Sequence, residues 1–135
     1  MKVKIVVSRK PIAPSTIFKW VANPQSGGLV FFVGTVRSES KGMKVTRMSL
    51  EAAEGLAKTD LARICKQVER KYRINDVAVA HRVGRLKVGD VIVAICVGAA
   101  HRKDAFKACE FIIDELKKTT PIWKKEIGPG RERWV

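Results

Sequence analysis

Apolar and polar positions change period several times along the chain, and each change marks an element. Lys2 to Val7 alternates charged and apolar side chains and ends on an apolar pair, the period-two pattern of a strand. Pro14-Ser15 opens a short helix carrying Ile17, Phe18 and Val21, which Asn23-Pro24 ends. Leu29 to Val36 is a nearly continuous apolar run, rich in valine and phenylalanine and too short for an ordinary helix, so a central strand is expected there. Gly34 lies inside that run, where glycine marks a bulge or the close approach of a ligand or another chain. Ser38 to Gly42 reads as a polar loop, and Lys44 to Glu51 as a half-buried strand with Val45, Met48 and Leu50 inward.

The second half has longer elements. From Glu54 to about Tyr72, Leu61, Ile64, Cys65, Val68 and Tyr72 fall on one face of a helix. Val77 to Val83 predicts a strand, Leu86 to Asp90 contains a Gly-Asp turn, and Val91 to Val97 is apolar throughout, as a strand buried on both faces must be. A second long helix is expected over Arg102 to Lys118, with Ala105, Phe106, Cys109, Ile112, Ile113 and Leu116 on one side. Thr119-Thr120-Pro121 stops it, because proline cannot continue the hydrogen-bond ladder. Ile122 to Val135 is expected to pack as short extended pieces. The order β, α, β, β, α, β, β, α, β predicts an α+β fold, one compact domain over residues 1–135 with helices laid against a mixed or antiparallel sheet. Strand pairing does not follow from the pattern. No repeat, low-complexity stretch or linker divides the chain.

Composition narrows the setting. In 135 residues, 46% are hydrophobic, enough for a real core. No run approaches the roughly 18 apolar residues of a membrane-spanning helix, and MKVKIVVSRK lacks the apolar stretch and cleavage site of a signal peptide, so a cytoplasmic protein with no membrane partner is expected. Cys65, Cys96 and Cys109 are widely spaced among apolar neighbours, with no CxxC pair, which predicts buried thiols rather than disulfides or a zinc site. Charge is the strongest compositional signal. Lys and Arg number 27 against 13 Asp and Glu, a net +14 that attracts anions. Nucleic acid, a phosphorylated metabolite and an acidic protein all fit such a field, and charge alone does not choose among them.

Three places have candidate chemistry. Gly98-Ala99-Ala100-His101-Arg102 leads from a strand into the second long helix without a Ser, Thr, Asp or Asn cap. Its free amides, with His101 and Arg102, suit a phosphate or carboxylate, unless water or a loop caps the helix. Lys117 and Lys124 lie on either side of Pro121 and Trp123. Desolvation and neighbouring cations such as Arg37 and Arg102 would make a lysine there a proton acceptor or nucleophile, whereas the negative helix end favours the protonated amine, and by pattern alone solvated surface lysines are the commoner case. Arg37 follows an apolar strand and precedes a polar loop, a position suited to ligand contact or to a plain surface charge. Arg131 and Arg133 flank Trp134 and are candidates to pin the tail. The chain contains no P-loop, Rossmann fingerprint, HExxH or GxSxG, and its two histidines, His81 and His101, form no metal constellation with other residues. An RNA-binding module lacks support, since Phe31 and Phe32 sit in an apolar run expected to be buried.

Several segments resemble the large subunit of molybdopterin synthase: GGLVFFVGTVR at Gly27 to Arg37, HRVGRLKVGD at His81 to Asp90, AHRKDAF at Ala100 to Phe106, FIIDELKKTTPIWKKE at Phe111 to Glu126, and the terminal Arg133-Trp134. Lys117, Pro121, Trp123 and Lys124 are the most specific part of the match. The resemblance implies a sulfurtransferase that converts cyclic pyranopterin monophosphate into dithiolene-bearing molybdopterin. The sulfur arrives as a thiocarboxylate on the C-terminal Gly-Gly of a small ubiquitin-like subunit, within a heterotetramer built on a homodimer of the large subunit. It further implies that Lys117 and Lys124 are catalytic, that His101 and Arg102 bind the pterin phosphate, that Arg37 reaches the pocket from the dimer partner, and that no resident cofactor or metal is needed. The stretch Leu50-Glu51-Ala52-Ala53-Glu54 departs from the family in having alanines where an aromatic or histidine is usual.

Overall fold

A computed structural model describes residues 1–135. Its strands are β1 (Lys2–Ser8), β2 (Gly28–Thr35), β3 (Glu39–Ser40), β4 (Met43–Lys44), β5 (Arg47–Ala52), β6 (Asp76–Arg82), β7 (Gly84–Lys87), β8 (Val91–Ala99), β9 (Ile122–Gly128) and β10 (Arg131–Trp134). The helices are α1 (Pro14–Val21), α2 (Glu54–Lys71) and α3 (Arg102–Thr119). The expected α+β class and single compact domain are found, but the strands form two four-stranded sheets and a small ribbon instead of one sheet. The first sheet runs β1-β6-β8-β2, the second β10-β9-β5-β7, and β3-β4 stand apart. Only β1 and β6 pair in parallel, so the first sheet is mixed and the second antiparallel.

Strict alternation divides the first sheet between two cores. Val77, Val79, Val93, Ile95 and Val97 face α2 and α3 in the larger core, while Ala78, Ala80, Ala94 and Cys96 face the short helix α1 through Ile17 and Val21. Small residues on the second face let the eight-residue α1 lie close to the strands. Both faces are therefore covered, which explains why β8 is apolar throughout. Leu29 to Val36 was expected to be central, yet β2 is the edge strand beyond β8. Its apolar run has the same cause: Leu29 and Phe31 pack on the α1 side, Val30 and Phe32 on the other. Neither phenylalanine lies on an open sheet face. The register slips between Gly34 and Thr35, the bulge that the glycine marked.

Two turns decide how the sheets meet. Gly84, at φ 98°, makes the corner between β6 in the first sheet and β7 in the second, a left-handed conformation that glycine adopts without strain. Lys41 and Gly42, at φ 48° and 78°, form the two-residue hairpin joining β3 to β4. The expected polar loop and following strand are thus a tight ribbon, a break, and then β5. The tail forms the β9–β10 hairpin on the second sheet.

The three cysteines are free and buried, as expected. Burial pushes the Cys65 thiol up to about 12 and those of Cys96 and Cys109 to about 11, so all three stay protonated. Phe106 departs from the expected helix face, being 60% exposed. The buried stripe of α3 runs through Ala105, Ala108, Cys109, Ile112 and Leu116, and Phe106 stands about 100° away from Ala105 around the helix. Leu61, wholly buried on α2 in the larger core, tests this packing. Leu61→Ala is expected to lower the stability of the fold by about 2–5 kcal/mol in urea unfolding, with little change in m-value.

Candidate active site

Helix α3 ends where a cavity begins. Pro121 stops the helix at Thr120, whose amide still reaches the Leu116 carbonyl at 3.1 Å, and the Ile122 amide bonds back to the Thr120 carbonyl at 2.8 Å. The chain passes from helix to β9 with almost no loop, so the last turn of α3 and the inner face of β9 confront each other. Asp60 on α2 holds this junction by accepting hydrogen bonds from Thr119 Oγ1 at 2.8 Å and Thr120 Oγ1 at 2.7 Å. Arg63 adds a third from Nε at 3.0 Å. Burial pushes the Asp60 carboxyl up, but the bonds from Thr120, Thr119 and Arg63 and the Arg63 charge outweigh it and hold the group below its ordinary value.

A cavity of about 520 Å³ opens beside this junction, between the two sheets. Lys117 enters it from α3, Lys124 and Glu126 from β9, and Arg37 and Lys41 from the segment after β2. Phe32, Ile92, Leu116 and Ile122 supply apolar wall, and His81 on β6 part of the floor. The two-residue period of β9 puts Lys124 and Glu126 inside while Trp123 and Lys125 point out. Trp123 and Trp134 are exposed, and Lys125 lies over the Trp134 ring at 5.1 Å on the outer surface. Glu126 is only 4% exposed and is answered by Arg133, whose Nη2 donates to it at 2.9 Å and to the Ser40 carbonyl at 2.7 Å. Arg133 thus ties the tail to the hairpin, whereas Arg131 is exposed. The same hairpin receives Arg37, with Nη2 3.4 Å from Ser40 Oγ.

Cations crowd one side of this cavity. Lys124 is half-buried, and desolvation first and the charge of Lys117 second lower its proton affinity, while Glu126 acts against them. A lysine so placed gives up its proton more readily than one on the surface. His81 is held down to about 4 by burial, against the pull of its bond to the Arg82 carbonyl, and by the Lys124 charge. Pattern reading named Lys117, Lys124 and Arg37, and the fold brings all three together. It gave no role to His81, Glu126 or Thr120, whose place at the site follows from strand pairing.

His101 and Arg102 lie elsewhere. They sit at the opposite end of α3, beside Gly27, Ala100 and Lys103 in a shallow opening, and the helix start has no side-chain cap, as expected. Lys117 lies fifteen residues along the helix from Arg102, about 22 Å at 1.5 Å per residue. Arg102 therefore takes no part in the lysine cavity of its own chain. Arg37, expected to arrive from a second copy, lines the cavity of its own chain. No group of three or more His, Cys, Asp and Glu side chains gathers anywhere in the fold, and no helix is long and apolar enough to cross a membrane.

The family described as MoaE protein matches residues 7–119. A molybdopterin synthase catalytic subunit of Thermoplasma volcanium is 39% identical over 123 residues, covering 91% of this chain and 90% of that one. The crystal structure of molybdopterin synthase from Staphylococcus aureus superposes with a TM-score of 0.90 at 35% identity, over 98% of this chain and 95% of that one. A complex of subunits 1 and 2 of the molybdopterin-converting factor of Helicobacter pylori shares the fold, with a TM-score of 0.77 at 21% identity over 98% and 89% of the two chains.

The electrostatics of Lys124 have signs that can be checked. Removing the repelling charge in Lys117→Ala is expected to raise the pH at which Lys124 becomes reactive towards an amine reagent, and Glu126→Gln to lower it. Mass spectrometry of labelling rates across pH reads both, and a midpoint unmoved by either change would leave burial as the sole cause.

Proposed function

The chain belongs to the MoaE protein family, and from that premise we propose that the cavity between its two sheets is a sulfur-transfer site in which Lys117 and Lys124 are the catalytic groups. The protein is the catalytic subunit of a molybdopterin synthase, a sulfurtransferase of molybdenum cofactor biosynthesis. The observation that carries the site reading is the convergence of Lys117, Lys124 and Arg37 on one cavity with a partly desolvated Lys124.

The donor is the C-terminal thiocarboxylate of the small ubiquitin-like subunit, and the acceptor is cyclic pyranopterin monophosphate. A Gly-Gly terminus has no side chains and so suits a cleft between closely packed walls. The thiocarboxylate sulfur attacks a side-chain carbon of the pterin as a carbon–oxygen bond at that carbon breaks, the departing oxygen taking a proton or staying on the phosphate. This leaves the sulfur bonded to both the pterin and the terminal glycine carbonyl, and a second carrier repeats the step at the neighbouring carbon. Water then adds to the carbonyl, and the carbon–sulfur bond breaks to release a carboxylate and leave the sulfur on the pterin. Negative charge develops on the oxygen of the tetrahedral adduct, where the Lys117 cation is placed to stabilise it. Lys124, with its lowered proton affinity, is suited to pass protons during the addition and cleavage. The net +14 of the chain steers both a phosphorylated substrate and an acidic carrier towards it.

His101 and Arg102 fit a pterin phosphate, with uncapped amides and cationic side chains at the helix start. Their distance from Lys117 exceeds the reach of one pterin, so they serve the cavity of a second copy. A homodimer whose subunits exchange these ends, with one small subunit on each, makes the heterotetramer. The setting is the cytoplasm, where three free thiols stay reduced.

Purified protein, thiocarboxylated small subunit and cyclic pyranopterin monophosphate are expected to yield molybdopterin. Lys117→Ala and Lys124→Ala should each lose about 100-fold or more in rate; near-normal rates in both would remove the lysines from the mechanism. Mixing Arg102→Ala with Lys124→Ala protein should restore about a quarter of wild-type turnover, because each mixed dimer then has one intact site. No recovery in mixed dimers would confine each site to a single chain.

A further inference from the structure

We propose that His81 is a positioning residue for Lys124, its Nε2 serving as a fixed hydrogen-bond acceptor that aims the Lys124 amine when the cavity is occupied. The inference rests on the reading of the lysine cavity given above and adds a residue to it. His81 stands near the end of β6, between Val7 on β1 and Val93 on β8 in register, and is 1% exposed. Strand alternation puts it on the same face as Val77 and Val79, at the end where the sheet meets the cavity. A residue needed only for packing at this point would be apolar like those two.

The ring is fixed in one tautomer. Nδ1 lies 2.8 Å from the Arg82 carbonyl oxygen, which can only accept, so the proton is on Nδ1 and Nε2 has a lone pair. Nε2 is buried and bonded to no other group of the protein. Buried acceptors are almost always paired, and an exception calls for a partner that engages in another state of the site. The charged groups facing this end of the cavity are Lys124 and Glu126 from β9, Lys117 from α3, and Arg37 and Lys41 from the segment after β2. Glu126 is an acceptor and is already taken by Arg133. Lys124 is the cation whose charge bears on His81, and its four-carbon stem lets Nζ turn onto Nε2. The ring stays neutral in the working range, with burial and Lys124 holding it down to about 4, so it remains an acceptor there. A lysine held in this way has its remaining N–H directions fixed towards the substrate.

The first measurement uses the unaltered fold. In protein labelled with ¹⁵N-histidine, binding of the small subunit with an ordinary carboxylate end should shift the His81 Nε2 resonance in wild type and leave it unmoved in Lys124→Ala. A resonance that does not respond in wild type, or responds equally without Lys124, overturns the proposal. Among variants, His81→Leu should lose about tenfold in kcat with little change in KM for the pterin, and His81→Gln, whose amide oxygen sits where Nε2 was, should recover to within about threefold of wild type. Equal impairment of the Leu and Gln variants, or none in either, reduces His81 to packing. If wild type forms no molybdopterin, the sulfur-transfer reading falls by itself, and the Nε2 shift still decides whether His81 and Lys124 are partners.

Discussion

The junction of α3 and β9 hangs on one carboxylate. Asp60, on a different helix, accepts from both threonines that end α3, and so fixes where the helix stops and the strand begins. Proline alone would end the helix without deciding the direction of exit. With Thr119 and Thr120 held, the chain turns at once into the second sheet, and Lys117 and Lys124 face one cavity though seven residues separate them. The bonds to Asp60 involve a charged acceptor, which makes them stronger than neutral ones, and they lie beside a well-packed helix pair. Rigid backbone on both sides of the cavity is what holds two flexible lysines at defined places.

The cavity gathers like charges, which opposes folding locally. Four cations, Lys117, Lys124, Arg37 and Lys41, line a space they share with apolar wall, and the carboxylate among them, Glu126, is already engaged with Arg133. The fold tolerates this because the mixed sheet and its two apolar faces supply the stability elsewhere. A site so charged favours an anion, and the lowered proton affinity of Lys124 is the measure of the repulsion and desolvation it bears. A second cationic end, at His101 and Arg102, lies at the far terminus of the same helix. One helix thereby has both positive features of the protein, at opposite termini.

Much of this was legible in the order of residues. Helices α2 and α3 and strands β1, β6 and β8 follow from apolar period, and the stops at Asn23-Pro24 and Pro121 follow from proline chemistry, because those signals act over a few neighbouring residues. The lysine pair, Arg37 and the uncapped start at His101 were also visible, each beside a strong local boundary. The place of β2 was not: an edge strand covered on both faces has the same apolar run as a central one. Phe106 was misplaced because a helix face read from spacing does not show how far the sheet beneath it extends.

The sequence by itself determined the elements, the single α+β domain, the excess positive charge and the residue types of the site, since all of these depend on composition and local period. Tertiary structure alone decided that the strands form two sheets, that Arg37 joins the lysines while Arg102 does not, and that a buried His81 faces the same cavity. Those outcomes depend on pairings between residues far apart in the chain, such as His81 with Val93 and Leu50 with Lys124, and no local pattern encodes which strand will lie beside which.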